Sequence, residues 1–572
     1  MNKNRDELYV LLREEDQNNL IDIKNDCFSL IPLLKRKKGI NLIFPNPIET
    51  YKNSKQQLLS CEEIIQEINQ IVSKKIPKKE KVLIFELLKP FLDAKISIYL
   101  YLRDCIPKYN FYNLFVDGYW KKFNSKSRLI IELEKEHAKE EGNIFYYLSK
   151  YSDLKYNYIH KLLARFQISI INKLIHKKNL YVLSGKKFYF MPIIFNELSI
   201  RRKNILVYNQ TQKIIKILFI IIKQLKSLFF NKRIFNNEFF MIPVNIAESK
   251  RIKIYNKKKK YHCKLIDDQY FKFILKGVES YLNVNYGYKS YSKKIFANSS
   301  GNYLKAIFHS NRLPDLNSLS KNLSQLQGQT HLISHGTHTI KNKSKRISES
   351  LEIGMLETNI PKIKMYSQSI FSDDYLSNKK IAFTKIKPIK SLKINDKKVK
   401  SQTLNILYAG TIKQLGARRY YFESCFEYIY STLDLCKKLK KLDFEVLLTI
   451  RIRDVKHEMN NQIIGDLTKD FSEFVRVSRN KNFEEDLSNS DCLIALSSTT
   501  LEEAINSQIP SMSYGLSTYN HFDYYLDQKY RINPEVKNYD KLKKIENLLK
   551  RKFTYLGKHM LEREKNIFDY II

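Results

Sequence analysis

The sequence predicts an α/β fold of doubly wound parallel sheets, and three observations predict it. From about residue 238 onward apolar runs recur, end in small or polar residues, and are followed by stretches of helical period. Several runs are continuous and β-branched, as strands buried on both faces of a parallel sheet should be. The chain has 572 residues, and at about 100 to 200 residues per domain that leaves room for two to four domains.

Taken in order, the predicted strands are Phe239 to Val244, Lys305 to Phe308, His331 to Ser334, Lys364 to Ser367, Asn405 to Ala409, Phe444 to Ile450, Phe474 to Val477, Cys492 to Leu496 and Pro510 to Tyr514. Residues 1 to about 235 read as mixed helix with short strands, among them Ile40 to Phe44 and Asn179 to Val182, in no topology that the pattern alone defines. No fixed-period repeat and no Ser-, Gly- or Pro-rich linker divides the chain.

Composition narrows the function classes. The seven cysteines are scattered without CxxC or Cys/His clustering, which argues against a zinc site and a disulfide framework and for a reducing cytoplasm. The charged start MNKNRDELYVLLREED has no secretory-signal pattern. Lys plus Arg exceed Asp plus Glu by 100 to 59, a formal +41. That excess suits phosphorylated substrates, anionic lipid or nucleic acid, but over-use of Lys, Ile, Asn and Tyr is also what AT-rich codons produce. No nucleic-acid module is recognisable, so no nucleic-acid partner is expected.

No apolar window of about 18 residues occurs, so a spanning helix is not expected. Between Thr211 and Phe230, however, Gln212, Lys213, Lys216, Lys223, Gln224 and Ser227 form one stripe at helical period, opposite a wide face of Ile, Leu and Phe. Such a basic amphipathic helix either lies on an anionic membrane or packs an ordinary core.

In doubly wound sheets ligands sit beyond the carboxyl ends of the strands, and four such ends carry candidate chemistry. In THLISHGTHT, His335 and His338 flank Gly336; with an ordinary pKa near 6.5, His335 could accept a proton from a sugar hydroxyl or hydrogen-bond a phosphate. In NILYAGT, Gly410 and Thr411 could let backbone amides approach a phosphate. In FEVLLTIRIRD, Arg451 and Arg453 alternate on one face, either a phosphate clamp or a solvated edge. In DCLIALSSTTLEEAINSQIPSMSYG, Ser498, Thr499 and Thr500 gather hydroxyls before a helix, with Glu502 and Glu503 one turn in; the same residues also satisfy the capping-box pattern.

Three of these strand ends, SHGT (Ser334 to Thr337), ILYAGT (Ile406 to Thr411) and DCLIALSSTTLEEAINSQIPSMSYG (Asp491 to Gly515), together with SQSIFSDDYL (Ser367 to Leu376), resemble the GT-B glycosyltransferases, in particular the bacterial enzymes of capsule and lipopolysaccharide assembly. The resemblance implies two Rossmann-like domains facing a cleft: residues 1–390 on the acceptor side with helical additions, and 391–572 binding the nucleotide-sugar donor. It implies that Ser498, Thr499 and Thr500 hold donor phosphate, that Glu502 or Glu503 meets the ribose, that Gly410 and Thr411 line the same cleft, and that His335 is the base. Where some relatives have a His-Pro pair, this chain has Ile452-Arg453-Asp454, which would pass phosphate neutralisation to Arg451 or Arg453. No metal and no cofactor are expected, the nucleotide-sugar being the substrate. The expected partners are that donor, a lipid-linked or glycan acceptor and an anionic membrane surface, with the protein peripheral on its cytoplasmic face. Polyol-phosphate transfer of the teichoic-acid type, nucleotide-sugar epimerisation and a non-catalytic basic binding protein are the other readings the residues leave open.

Overall fold

The computed structural model describes residues 7–11, 26–29, 41–43, 63–76, 109–116, 118–141, 158–175, 179–186, 190–210, 213–231, 237–243, 252–256, 261–299, 304–311, 313–326, 328–334, 339–341, 351–353, 362–369, 380–389, 403–410, 427–441, 445–452, 468–478, 482–495, 500–507, 511–513 and 565–572, with isolated positions between them. They form an α/β protein built on three mainly parallel sheets, as the sequence predicts, with a small antiparallel pair of strands.

The first sheet contains β1 (Glu7–Leu11), β2 (Asp26–Ser29), β3 (Asn41–Ile43), β4 (Phe111–Val116) and β5 (Tyr119–Phe123) in the order β3-β2-β1-β4-β5. All neighbours are parallel except β5, which turns back on β4 through Gly118 at φ +89°. The edge strand β5 blunts its open side with charge, and Lys122 pairs with Glu7. The N-terminal half therefore holds a sheet of its own besides added helices.

The second sheet contains β6 (Leu180–Leu183), β7 (Ile205–Tyr208), β8 (Asn237–Phe239), β9 (Leu304–Phe308), β10 (Gln329–Ile333), β13 (Ile363–Ser367) and β14 (Phe383–Lys385). Its order is β14-β13-β10-β9-β6-β7-β8, parallel throughout. Between β10 and β13 lies the antiparallel pair β11 (Thr339–Lys341) and β12 (Leu351–Ile353). The strands alternate as their period of two requires: Val182, Leu206, Ala306 and Leu332 join one core, and Leu183, Val207, Ile307 and Ile333 the other.

One face is covered by α2 (Tyr158–Ile175), α4 (Ile214–Lys226), α5 (Asp268–Ile295) and α6 (Pro314–Gln325); the other by α3 (Met191–Ile200) and the C-terminal helix α10 (Phe568–Ile571). Helix α5 also joins the first unit to the second. Its N-cap, Asp267, accepts hydrogen bonds from the amides of Gln269 and Tyr270 at 3.0 and 2.9 Å, and from the hydroxyls of Tyr99 and of Ser127 in α1 (Lys126–Glu141). The chain end is anchored by Arg563, buried against Asp373 at 2.5 Å and the carbonyl of Ser367 at 2.8 Å.

The third sheet contains β15 (Leu404–Gly410), β16 (Val446–Ile452), β17 (Val475–Val477), β18 (Cys492–Ala495) and β19 (Ser511–Ser513) in the order β17-β16-β15-β18-β19, again all parallel. Helix α7 (Glu427–Lys440) brings Cys436 near Cys492 on one face; α8 (Phe483–Ser488) and α9 (Thr500–Asn506) cover Leu407, Leu493 and Ala495 on the other. All three sheets thus contain the order 3-2-1-4-5 of a Rossmann-like half, the first with its last strand reversed and the second with two further strands, an order that the sequence pattern did not reveal.

The amphipathic stripe requires a correction. Helix α4 buries Ile217, Ile220 and Ile221 together with Gln224, and Ser227 follows them inward in a π-helical turn, Ser227–Asn231. The cause is β8, whose outer backbone groups have no neighbouring strand among the described residues. Gln224 Nε2 donates to the Glu238 carbonyl at 2.6 Å, and Gln167 of α2 both donates to Phe240 O and accepts from Phe240 N, at 2.8 and 3.1 Å. Two glutamines replace the missing strand, so Gln224 and Ser227 face the core and not the solvent.

Candidate functional site

In the order 3-2-1-4-5 the connections leave strand 1 toward one edge of the sheet and strand 4 toward the other. This opens a crevice at the carboxyl ends of strands 1 and 4 where ligands bind in open α/β sheets. In the third sheet those strands are β15 and β18. Gly410 closes β15 opposite Ile452 of β16, and Ala495 closes β18. Across the gap, the hydroxyl of Thr500, first residue of α9, donates to the carbonyl of Ala409 at 3.2 Å. The topology therefore brings the end of β15 beside β18 and the start of α9 at Thr500. Residues 91 positions apart share one strand-end crevice.

Among the predicted site residues, Thr500 has the described placement just given. Glu503 lies half-buried on α9, and Gly410 and Glu502 are placed by backbone, in β15 and α9 respectively. Arg451, on β16 beside Ala409, turns toward the sheet's flank: its Nη1 meets the buried carboxylate of Asp486 at 2.6 Å, and its guanidinium lies 5.9 Å from the Phe483 ring. Asp486 also accepts from the Ser478 hydroxyl at 2.5 Å. Neither a solvated edge nor a free clamp describes Arg451: it is half of an ion pair fastening α8 to the ends of β16 and β17. His335, Gly336, His338, Thr411, Arg453, Ser498 and Thr499 lie outside the described residues.

The second sheet has the equivalent crevice between β6 and β9, and there the structure brings together a pair the sequence reading missed. Ser184 Oγ and His309 Nδ1 lie 2.8 Å apart, both buried, and the His309 amide donates to the same hydroxyl at 3.2 Å. The signal was present in Phe308-His309-Ser310-Asn311, an imidazole at a strand's carboxyl end, the same criterion that singled out His335. Next along this row, Ser334 follows β10, its amide bonded to the Tyr366 carbonyl at 3.0 Å, and its carbonyl accepts from Gln368.

His331, four residues before His335, plays a different part. It sits fully buried within β10, its Nδ1 2.9 Å from the Tyr366 hydroxyl and its ring stacked on that tyrosine. Burial, with the Lys364 and Lys305 charges nearby, pulls its pKa down to about 3, so the imidazole is neutral in the folded protein at ordinary pH. Burial likewise pushes the thiols of Cys27 and Cys436 up to about 12 and that of Cys263 to about 11, which makes them core groups and poor nucleophiles. Among the described residues no group of three or more His, Cys, Asp or Glu side chains converges as a metal site.

No protein-family model and no curated protein matches the chain. Solved structures similar to it include a putative UDP-N-acetylglucosamine 2-epimerase from Listeria monocytogenes, at 10% identity and TM-score 0.36, over 68% of this chain and 92% of that one. Others are a UDP-GlcNAc 2-epimerase from Neisseria meningitidis bound to UDP-GlcNAc, at 11% and 0.32 over 60% and 83%, and the wall teichoic acid polymerase TagF, at 12% and 0.32 over 69% and 92%. At these identities and TM-scores the likeness assigns no function, and the case for one stands on the chain's own residues.

Proposed function

We propose that the chain is a glycosyltransferase that moves a sugar from a nucleotide-activated donor to a lipid-linked or polysaccharide acceptor in cell-surface carbohydrate assembly. The observation that carries this reading is the crevice of the third sheet. One described residue from each of two segments singled out for phosphate chemistry borders it, Gly410 at the end of β15 and Thr500 at the start of α9, and the Thr500 to Ala409 hydrogen bond ties the two together.

In the proposed reaction the donor's phosphates sit against the Gly410 turn and the hydroxyls of Ser498, Thr499 and Thr500, with a ribose hydroxyl donating to Glu502 or Glu503. The acceptor hydroxyl oxygen forms a bond to the anomeric carbon as the bond from that carbon to the phosphate oxygen breaks. His335 takes the acceptor's proton, and the nucleotide leaves with the electron pair. Arg451 contributes by fixing the crevice wall through Asp486, which leaves direct neutralisation of phosphate to Arg453 and the backbone amides. The reaction needs no metal or cofactor of the protein's own, and the enzyme works at the cytoplasmic face of the membrane.

A thermal-shift panel of the purified chain with UDP, CDP, GDP, CMP and their sugar conjugates at high salt tests this directly. Selective stabilisation by one nucleotide, lost in Glu502→Ala or Glu503→Ala, supports the donor crevice and names its base. Stabilisation by none sinks the reading in favour of a basic binding protein. Product analysis then separates the enzyme readings: an acceptor-independent change in the nucleotide-sugar means epimerisation, and transfer of a polyol phosphate means the teichoic-acid type.

A further inference from the structure

Eleven large apolar side chains stand in solvent among the described residues, and eight of them lie on α2, α4 and the turn that ends α4. On α4, Ile215, Leu218, Phe219 and Ile222 recur at helical spacing on the side opposite the buried isoleucines, and Phe229 extends the row; Ile215, Phe219 and Phe229 are 69, 68 and 72% exposed. The helix thus has two apolar faces. One is spent on the second sheet, and the other is left outside, flanked by the exposed Lys216, Lys223 and Lys226. Helix α2 packs beside α4, Gln224 reaching Gln167 at 3.3 Å, and adds Ile159, Leu162 and Phe166.

Charge in this region departs from the composition of the chain. Residues 154–237 contain 17 Lys and Arg, close to the chain-wide frequency, but Glu197 is their sole acid, where 59 acids in 572 residues would put about nine. Codon bias that adds lysine everywhere does not remove carboxylates from one stretch of 84 residues. A surface that is apolar, basic and stripped of negative charge complements an interface that is apolar below and anionic above. A second copy of this chain would instead set these lysines against their own kind.

We propose that the outward faces of α4 and α2 form a docking surface for an anionic lipid bilayer. No described helix is long and apolar enough to cross a membrane, so the platform lies on the bilayer, with Phe219 and Phe229 entering the acyl boundary and the lysines meeting phosphate headgroups. Because α4 is already fastened to the β8 edge by Gln224, the surface is preformed and sets the protein's orientation; it is not a segment that folds on lipid. The proposal extends the functional reading by giving a lipid-linked acceptor a place to be met, yet it is measured without nucleotide and stands or falls separately.

The test is co-sedimentation of the full chain with vesicles of phosphatidylglycerol and phosphatidylcholine in equal parts, against phosphatidylcholine alone. Binding at least about tenfold tighter to the anionic vesicles is expected. Phe219→Ser with Phe229→Ser should lower that binding by about tenfold or more at unchanged melting temperature, since both rings are already in solvent. Lys216→Glu with Lys223→Glu should lower it comparably and leave residual binding insensitive to salt. Undiminished binding by the phenylalanine pair, or equal binding to both vesicles, would overturn the proposal. So would a solution dimer that the phenylalanine pair dissolves, which would assign the face to a second copy.

Discussion

The second and third sheets share the order 3-2-1-4-5, the second adding two strands beyond it, but put different residues at their crevices. Between β6 and β9 the protein fills the space with its own groups: Ser184 and His309 are buried and bonded to each other. Beside β15 and β18 the described groups are Gly410, which ends β15, and Thr500, whose hydroxyl reaches the Ala409 carbonyl; in sequence, small hydroxyl residues fill the stretch before Thr500. The shared central order supplies a crevice in both places, and the residues at the strand ends decide what each can hold. Fold alone therefore does not locate a site; the residues at the strand ends do.

The sharpest way to break this contrast is to remove, one at a time, the two imidazoles that follow β9 and β10 in the sequence, His309 and His335. His335→Ala should lower turnover about a hundred- to ten-thousand-fold with little change in stability. His309→Ala should cost about 2 kcal/mol in urea denaturation, through the cavity and the imidazole partner that the Ser184 hydroxyl loses, and change turnover little. Loss of turnover in His309→Ala at unchanged stability would make the filled crevice the reacting one.

His331 sharpens the picture of the filled side through pH. Its folded pKa of about 3 lies below the 6.5 of the free imidazole, so the unfolded chain binds more protons between those values and stability falls as the medium is acidified through them. The loss should amount to something on the order of 4 kcal/mol, and it should be absent from the acid-denaturation profile of His331→Leu. An unchanged profile in that variant would mean that the ring is not held neutral.

On the open side, Arg451→Ala leaves Asp486 buried without its cation, and about 3 kcal/mol should be lost. If nucleotide affinity falls further than that destabilisation explains, Arg451 touches the donor after all. The smallest effect belongs to Thr500→Val, which removes one hydrogen bond across the crevice and should cost about 1 kcal/mol. Calorimetric melting of the two variants checks both figures.

The strands of the second half were legible because they are locally self-sufficient signals. Runs such as Ile406 to Ala409 and Cys492 to Ala495 are apolar on both faces, and their ends are punctuated by Gly410 and by Ser497. Of the first sheet only β3 was legible, inside the predicted strand Ile40 to Phe44; β1 alternates buried and half-exposed residues over five positions, and β2 is four residues long, too short for a period to stand out. Gln224 was misread for a related reason. A glutamine in a lysine stripe looks like solvent-facing surface until the open edge of β8 is known to lie beneath it.

By itself the sequence determined the α/β class, most strand positions after residue 238, the hydroxyl and glycine turns at their ends, and the depletion of acids along 154–237. Each of these is a property of neighbours along the chain. The tertiary structure decided what depends on contacts across it. It set the strand order that puts β15 beside β18, joined Ser184 to His309 across 125 positions, committed Arg451 to Asp486, and chose which apolar face of α4 the core would take. Periodicity records that a residue is apolar or polar, whereas burial and pairing depend on which distant backbone groups and charges are left unsatisfied when the sheets form.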